Sequence, residues 1–133
     1  MRTASAIVMS VLLVSVLLMV RPRADIVRHI TFPVTLLGTC AEDAQQCATK
    51  DKSNVLIEST NYGDGSGSCV VRWIVEMAGS QGTNYAVHAF CTSASQPDKT
   101  QTVNIVIRPQ SDGRAVMGRS FDNLKTYVRC PGT

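Results

Sequence analysis

The sequence contains few of the residues from which metal and redox sites are built. Of its 133 residues, two are histidines and five are cysteines. No two cysteines form a Cys-x-x-Cys pair, the spacing typical of structural zinc sites and of thioredoxin-type redox motifs. We therefore predict no metal, no cofactor and no dithiol redox activity.

Charged residues are also scarce, at 17% of the chain, whereas hydrophobic residues make up 44%. This balance argues against a disordered chain, and the length allows one domain. The formal net charge is +3, and the first 24 residues contain Arg2, Arg21 and Arg23 but no acidic residue. The remaining 10 of the 13 basic residues balance all 10 acidic residues, which leaves 25–133 without net charge. Because nucleic-acid binding depends on excess positive charge, we predict no nucleic-acid partner.

The N-terminus has the pattern of an export signal. Arg2 precedes an apolar run over residues 6–20 that only Ser10 and Ser15 interrupt. The run is shorter than the ~20 apolar residues that a transmembrane helix needs, and it suits the hydrophobic region of a signal peptide. We predict that 1–24 is a cleaved signal peptide or, alternatively, an uncleaved anchor that holds the protein in a membrane by residues 6–20. Residues 25–133 then form one extracytoplasmic domain, secreted or periplasmic if the leader is cleaved.

All five cysteines follow this leader, so an oxidising compartment would favour disulfides. Residues 69–77 and 83–92 are rich in β-branched and aromatic residues, and the glycine-containing segment 78–82 between them is typical of a turn. Pairing the two segments as an antiparallel hairpin places Cys69 opposite Cys91 and Trp73 opposite Val87. Directly opposed residues are close enough for a disulfide, so we predict a Cys69–Cys91 bond.

The other three cysteines leave two pairings open. A helix over Cys40–Ala48 would separate Cys40 from Cys47 by roughly 10 Å, too far for a bond between them. One of the two would then pair with Cys130, and the other would stay free. If the segment is a loop instead, a Cys40–Cys47 bond becomes feasible.

The remaining pattern predicts an α+β fold. Apolar alternation indicates strands over 54–59, 69–77, 83–92 and 103–108, with Cys91 opposite Val103, Ile57 opposite Val71, and 61–68 as a flexible loop. Ile26–Leu37 is predicted to form a first strand, which Pro33 places at a sheet edge or a bend. Apolar residues at helical spacing predict a C-terminal helix over Phe121–Arg129. We expect a disulfide-stapled antiparallel meander of four to five strands, with this helix covering Trp73 on one face.

The pattern does not support a catalytic triad. His88 is the one histidine within the predicted sheet, where the register places it opposite Arg72. The register brings neither a serine nor a carboxylate beside it, although a nucleophilic triad needs both. We therefore predict a non-enzymatic protein and keep a small hydrolase that uses His88 as the weakest alternative.

The second face of the predicted sheet mixes aromatic, aliphatic and arginine side chains. Such a mixture is typical of protein interfaces. The candidate binding residues on this face are Arg72, Ile74, Glu76, His88, Phe90 and Arg108. The sequence thus predicts an exported protein-binding domain, with inhibition of an extracellular hydrolase as one hypothesis. A membrane-anchored envelope or surface subunit is the alternative, and the membrane is a partner only in that case.

Overall fold

The computed structural model describes residues 26–133, and the predicted leader, 1–24, lies outside them. Nine strands dominate: β1 (Val27–His29), β2 (Gly38–Ala41), β3 (Val55–Ile57), β4 (Asn61–Asp64), β5 (Gly67–Gly79), β6 (Gly82–Ser93), β7 (Gln96–Pro109), β8 (Arg114–Gly118) and β9 (Lys125–Arg129). The helical segments in this range are α1 (Gln46–Thr49) and two 3₁₀ turns, Val34–Leu36 and Phe121–Asn123.

Strands β2 to β9 form a closed antiparallel barrel of eight strands. Each strand pairs with the next along the chain, and β9 pairs back with β2, with Cys40 opposite Arg129. The extra strand, β1, pairs with β5 outside this cycle. The predicted antiparallel β structure is confirmed, but the predicted small meander sheet with a C-terminal helix is wrong. Closure explains the difference, because it pairs the first and last barrel strands, whose outer edges an open meander leaves unpaired.

The predicted C-terminal helix over Phe121–Arg129 is replaced by a 3₁₀ turn and strand β9. The segment pairs with β8 on one edge and with β2 on the other. An extended backbone satisfies hydrogen-bonding groups on both neighbours, which outweighs the helical spacing of the apolar residues. Tyr127 packs against the barrel core from this strand.

The segment 61–68, predicted to be a flexible loop, contains strand β4 and a tight turn into β5. Tyr62 lies in the core at 2% exposure, opposite Cys69. Gly67 has φ +146°, and a Cβ added there would lie 1.9 Å from the Thr92 carbonyl oxygen on β6. The glycine thus allows β5 to start close against β6. The predicted pairing of Ile57 with Val71 is wrong because β4 lies between their strands.

The predicted register of the central hairpin holds on one side of a β-bulge and fails on the other. Cys69 faces Cys91 and Val71 faces Ala89, but Trp73 faces His88. Arg72 is the extra residue in β5, and a single inserted residue reverses the face of every side chain that follows. Trp73 is therefore 38% exposed on the outer surface rather than covered by a helix.

The pairing of β6 with β7 differs from the prediction by two residues. Cys91 lies opposite Gln101 rather than Val103, and Ala89 faces Val103. An even shift keeps the same side chains on the same face. Ile105 and Ile107 therefore still point into the barrel, where both are fully buried.

The N-terminal part also departs from the prediction. Of the expected strand Ile26–Leu37, only Val27–His29 is extended in a sheet, and Val34–Leu36 forms a 3₁₀ turn. The expected helix Cys40–Ala48 begins only at Gln46, where the Asp43 carboxylate accepts a 2.9 Å hydrogen bond from the Gln46 amide. Cys40 instead belongs to a barrel strand.

The structure contains two disulfides, as predicted. Cys69 and Cys91 join neighbouring strands, and Cys47 and Cys130 join the α1 segment to the C-terminus. Cys40 is the remaining thiol and is buried. The other members of the buried core include Phe32, Val55, Ile57, Tyr62, Val71, Ile74, Tyr85, Val87, Ala89, Ile105, Ile107 and Met117.

Candidate functional site

Three of the six predicted binding residues form a cluster on the outer surface of the barrel wall. The Arg72 guanidinium lies over the Phe90 ring, with its Cζ 5.2 Å from the ring centroid. His88 is two residues from Phe90 along β6, so both side chains lie on the same face. Phe90 is 44% exposed, and Arg72 is exposed as well. The predicted grouping of these three residues is therefore present on the surface.

Two other predicted binding residues lie on the inner face, contrary to the prediction. Ile74 is completely buried in the barrel core. Glu76 pairs across the hairpin with Tyr85, itself a core residue, and its carboxylate lies 2.6 Å from His29 Nε2. The bulge at Arg72 causes both errors, because it reverses the inward and outward positions over the rest of β5.

The sixth predicted residue, Arg108, lies apart from the cluster. Its Nε donates a 2.7 Å hydrogen bond to Asn84 Oδ1, and its Nη1 donates to Gln81 Oε1 at 3.3 Å. Asn84 is four residues from His88 along β6, which corresponds to roughly 13 Å. Arg108 therefore stabilises the far end of the β5–β6 hairpin and does not join the cluster.

The structure adds two residues that the sequence reasoning missed. The Trp73 ring stacks on His88, with the centroids 4.7 Å apart and the planes tilted by 32°. The Arg28 Cζ lies 6.0 Å from the centroid of the Trp73 ring. Nothing in the sequence marks the bulge that exposes Trp73, and Arg28 arrives only because β1 pairs with β5.

We call this cluster the outer patch and define it as Arg28, Val70, Arg72, Trp73, His88 and Phe90. Val70 lies directly opposite Phe90 and is 56% exposed, so it extends the apolar part. The patch is a row of three rings with one arginine over the ring at each end. Such aromatic rings and arginines are enriched at protein interfaces and contribute much of their binding free energy.

The two arginines of the patch make no internal polar contact in the described part of the chain. Within residues 26–133, neither Arg28 nor Arg72 forms an ion pair or donates a side-chain hydrogen bond. A cation over an aromatic ring is attracted by the ring quadrupole, and this holds the guanidinium in place without using its N–H donors. Among the described residues, no acceptor occupies these donors, so they can serve a ligand.

A concave region at one end of the barrel, which we call the barrel mouth, is lined by two ion pairs. Arg119 donates two hydrogen bonds, of 2.9 and 3.0 Å, to the Asp64 carboxylate. Lys125 and Glu42 form another pair at 2.8 Å. The cavity between them has a volume of about 310 Å³. Burial, together with the Asp64 carboxylate, raises the pKa of the buried Tyr62 phenol. Because the Asp64 and Arg119 side chains satisfy each other, we assign this region a structural role.

A further surface depression is a groove on the outside of β2 and β3, with a volume of about 670 Å³. Leu56, which is 45% exposed, contributes to its lining, as do the α1 segment and the Cys47–Cys130 disulfide. Its polar members include Lys50 and Asp51, which carry opposite charges. The lining does not favour one ligand charge over the other.

The geometry around the nucleophilic and basic residues shows no assembled triad. Within residues 26–133, the His88 ring has the tryptophan stack as its contact and forms no hydrogen bond to a serine or carboxylate. Burial raises the pKa of the Cys40 thiol, and the Arg129 charge lowers it to a smaller extent. Burial therefore disfavours the thiolate, the nucleophilic form of a cysteine.

The described residues also contain no group of three or more His, Cys, Asp or Glu side chains arranged to bind a metal ion. In the same range, no helix has the length and apolar character needed to cross a membrane. The two disulfides are suggestive of an oxidising, extracytoplasmic environment. The chain matches no protein-family model, and comparisons with curated proteins and with solved structures found no match either.

Proposed function

We propose that this protein is an exported, non-enzymatic binding domain that engages another protein through the outer patch. The observation that carries the proposal is the ring row of Trp73, His88 and Phe90 on the outer surface, between two arginines that have no polar partner within residues 26–133. Isolated apolar residues are common on protein surfaces, whereas a contiguous aromatic cluster on a rigid wall favours a binding role.

The scaffold supports this proposal energetically. The patch lies on paired strands, and the Cys69–Cys91 disulfide joins those strands one residue from Val70 and Phe90. A surface that is already ordered loses little conformational entropy on association. The fold therefore presents the rings in a fixed arrangement rather than on a flexible loop.

The proposal includes export through the predicted leader, which lies outside the described residues. N-terminal sequencing of the protein purified from its own host tests this part. A mature N-terminus at about Asp25 supports a cleaved signal peptide, whereas an intact Met1 in the membrane fraction contradicts it and supports the anchored alternative.

Binding is tested with two matched phenylalanine substitutions. Phe90→Ala removes a ring from the outer patch, and Phe121→Ala removes a 71% exposed ring from a 3₁₀ turn that lies outside the patch. Wild-type and variant full-length proteins are expressed in the original host and used to capture partners from the extracytoplasmic fraction. We expect one partner to bind the wild type and Phe121→Ala, and to bind Phe90→Ala at least about tenfold more weakly in calorimetry with purified components.

Equal loss of the partner in both variants, or no loss in either, contradicts the proposal. Circular dichroism and thermal unfolding of each variant show whether it keeps the fold. Enzyme assays on the captured partner then test the inhibitor hypothesis. Addition of the wild-type protein is expected to lower the activity of a hydrolase partner, and Phe90→Ala is expected to lower it less.

A further inference from the structure

We infer that the outer patch binds a protein segment that carries carboxylates on either side of an apolar side chain. This inference rests on the proposed function and specifies the chemistry of the partner. Its basis is the contrast between the arginines of the patch and every other arginine that the structure describes.

Residues 26–133 contain six arginines, and four of them have internal acceptors for their side-chain donors. Arg108 binds side-chain amides, Arg114 and Arg119 bind aspartates, and Arg129 donates to the carbonyl oxygens of Thr35 and Leu37. Arg28 and Arg72 are the two without such an acceptor. A guanidinium presents a planar set of N–H donors that matches a carboxylate, so these two arginines are suited to an acidic ligand.

The positions of the two arginines set the spacing between the two carboxylates of the ligand. Arg28 lies opposite Val75, which is three residues from Arg72 along β5. That offset corresponds to roughly 10 Å along the strand. In an extended peptide, two glutamates separated by three residues lie on the same side, with their Cα atoms roughly 13 Å apart. The arginine and glutamate side chains are long enough to accommodate the difference between these two distances.

The rings between the arginines supply the apolar part of the contact. Trp73 stacks on His88, and Phe90 follows two residues further on the same face of β6. Val70 lies opposite Phe90 and borders this row. A leucine or phenylalanine of the ligand, placed between its two carboxylates, covers this row and excludes water. Ion pairs become stronger when neighbouring apolar groups lower the local dielectric constant, so the two contributions reinforce each other.

The charge balance favours a protein segment over a nucleic acid. A nucleic-acid site neutralises several phosphates with a cluster of cations, but the patch has two arginines and residues 25–133 have no net charge. Asn61, which lies opposite Val70, hydrogen-bonds to the acidic Glu58 at 3.5 Å. The Glu58 carboxylate therefore limits the positively charged region at the edge of the outer patch near Val70.

The chain has one tryptophan, and it lies in the patch, so its fluorescence reports binding there specifically. The probe is the peptide acetyl-Gly-Glu-Thr-Leu-Thr-Glu-Gly-amide, and the matched control replaces both glutamates by glutamine. At low ionic strength we expect the glutamate peptide to bind the full-length protein about fivefold or more tightly than the glutamine peptide. High salt is expected to remove this difference.

Variants of the arginines identify the source of the preference. Arg28→Gln and Arg72→Gln are each expected to reduce it, and the double variant is expected to bind the two peptides equally. Arg114→Gln is the matched control, because Arg114 pairs with Asp112 on the surface and is not part of the patch. We expect this control to keep the full preference.

The outcomes separate this inference from the proposed function. Equal binding of both peptides overturns the inference and leaves the surface as a proposed protein-binding site without a preference for carboxylates. A Trp73 response to oligothymidylate but not to the glutamate peptide overturns it in favour of nucleic acid. No response to either peptide also overturns it, while the capture experiment with Phe90→Ala still decides the proposed function.

Discussion

The barrel mouth and the outer patch combine arginine with aromatic residues, but they use these residues in different ways. At the mouth, Arg119 meets Asp64 in two hydrogen bonds beside the buried Tyr62. On the outer patch, Arg72 lies over Phe90, and no acceptor for its donors is present in the part of the chain that the structure describes. The difference teaches that residue type alone does not distinguish a structural site from a proposed binding site. What separates them is whether the polar groups are already satisfied within the fold.

The largest expected effect tests which side of the barrel wall each residue occupies. Ile74→Ala removes a fully buried side chain from the core and should lower the free energy of unfolding by about 2–5 kcal/mol. Trp73→Ala, at the neighbouring position but on the outer surface, should cost about 1 kcal/mol. Denaturant unfolding of the two variants measures both values. A larger loss for Trp73→Ala than for Ile74→Ala would contradict the bulge at Arg72.

A smaller effect separates the two kinds of arginine. Arg119→Met leaves the Asp64 carboxylate, which is 14% exposed, without its partner, so we expect a loss of about 1–3 kcal/mol. Arg72→Met removes a surface cation that has no acceptor among residues 26–133, so its effect on stability should stay within about 0.5 kcal/mol. Thermal unfolding at constant pH provides the comparison. Equal destabilisation by the two substitutions would remove the distinction between mouth and patch.

The smallest effect appears at alkaline pH and comes from Tyr62 at the mouth. Burial raises the pKa of the Tyr62 phenol above its ordinary value of 10.0, so the folded state keeps a proton that the unfolded state loses. The resulting stability is complete below pH 10 and decreases as the pH rises above it, by at most about 1.4 kcal/mol per pH unit for this group. Tyr62→Phe should make the free energy of unfolding decrease less steeply with pH, by at most the slope that corresponds to one bound proton. Urea unfolding at several pH values between 9 and 11 measures that slope, with Phe90→Ala as the control that should not change it.

Local pairing was predictable where it depended on short stretches of sequence. The Cys69–Cys91 bond follows from two β-rich segments and the turn between them, and the structure contains it. The bond from Cys130 to the Cys40–Cys47 region was one of two open alternatives, and the structure selects Cys47. Cys40, the cysteine outside both disulfides, lies on barrel strand β2 and is buried.

The candidate site was only partly predictable, because a bulge and a distant strand assemble it. Arg72, His88 and Phe90 were placed together correctly by alternation alone. Trp73 was assigned to the wrong face, since the alternation of β5 gives no sign that Arg72 is an inserted residue. Arg28 joins the patch through the pairing of β1 with β5, in which the paired residues lie at least 45 positions apart in the chain.

The sequence by itself determined the antiparallel β character, the central hairpin and the opposition of Cys69 to Cys91. These features depend on neighbouring residues and on a side-chain period of two. The tertiary structure alone decided that the sheet closes, that residues 125–129 form a strand, and that Trp73 faces outward. The physical reason is that backbone hydrogen-bonding groups on strand edges need partners, and the residues that supply them are remote in the sequence.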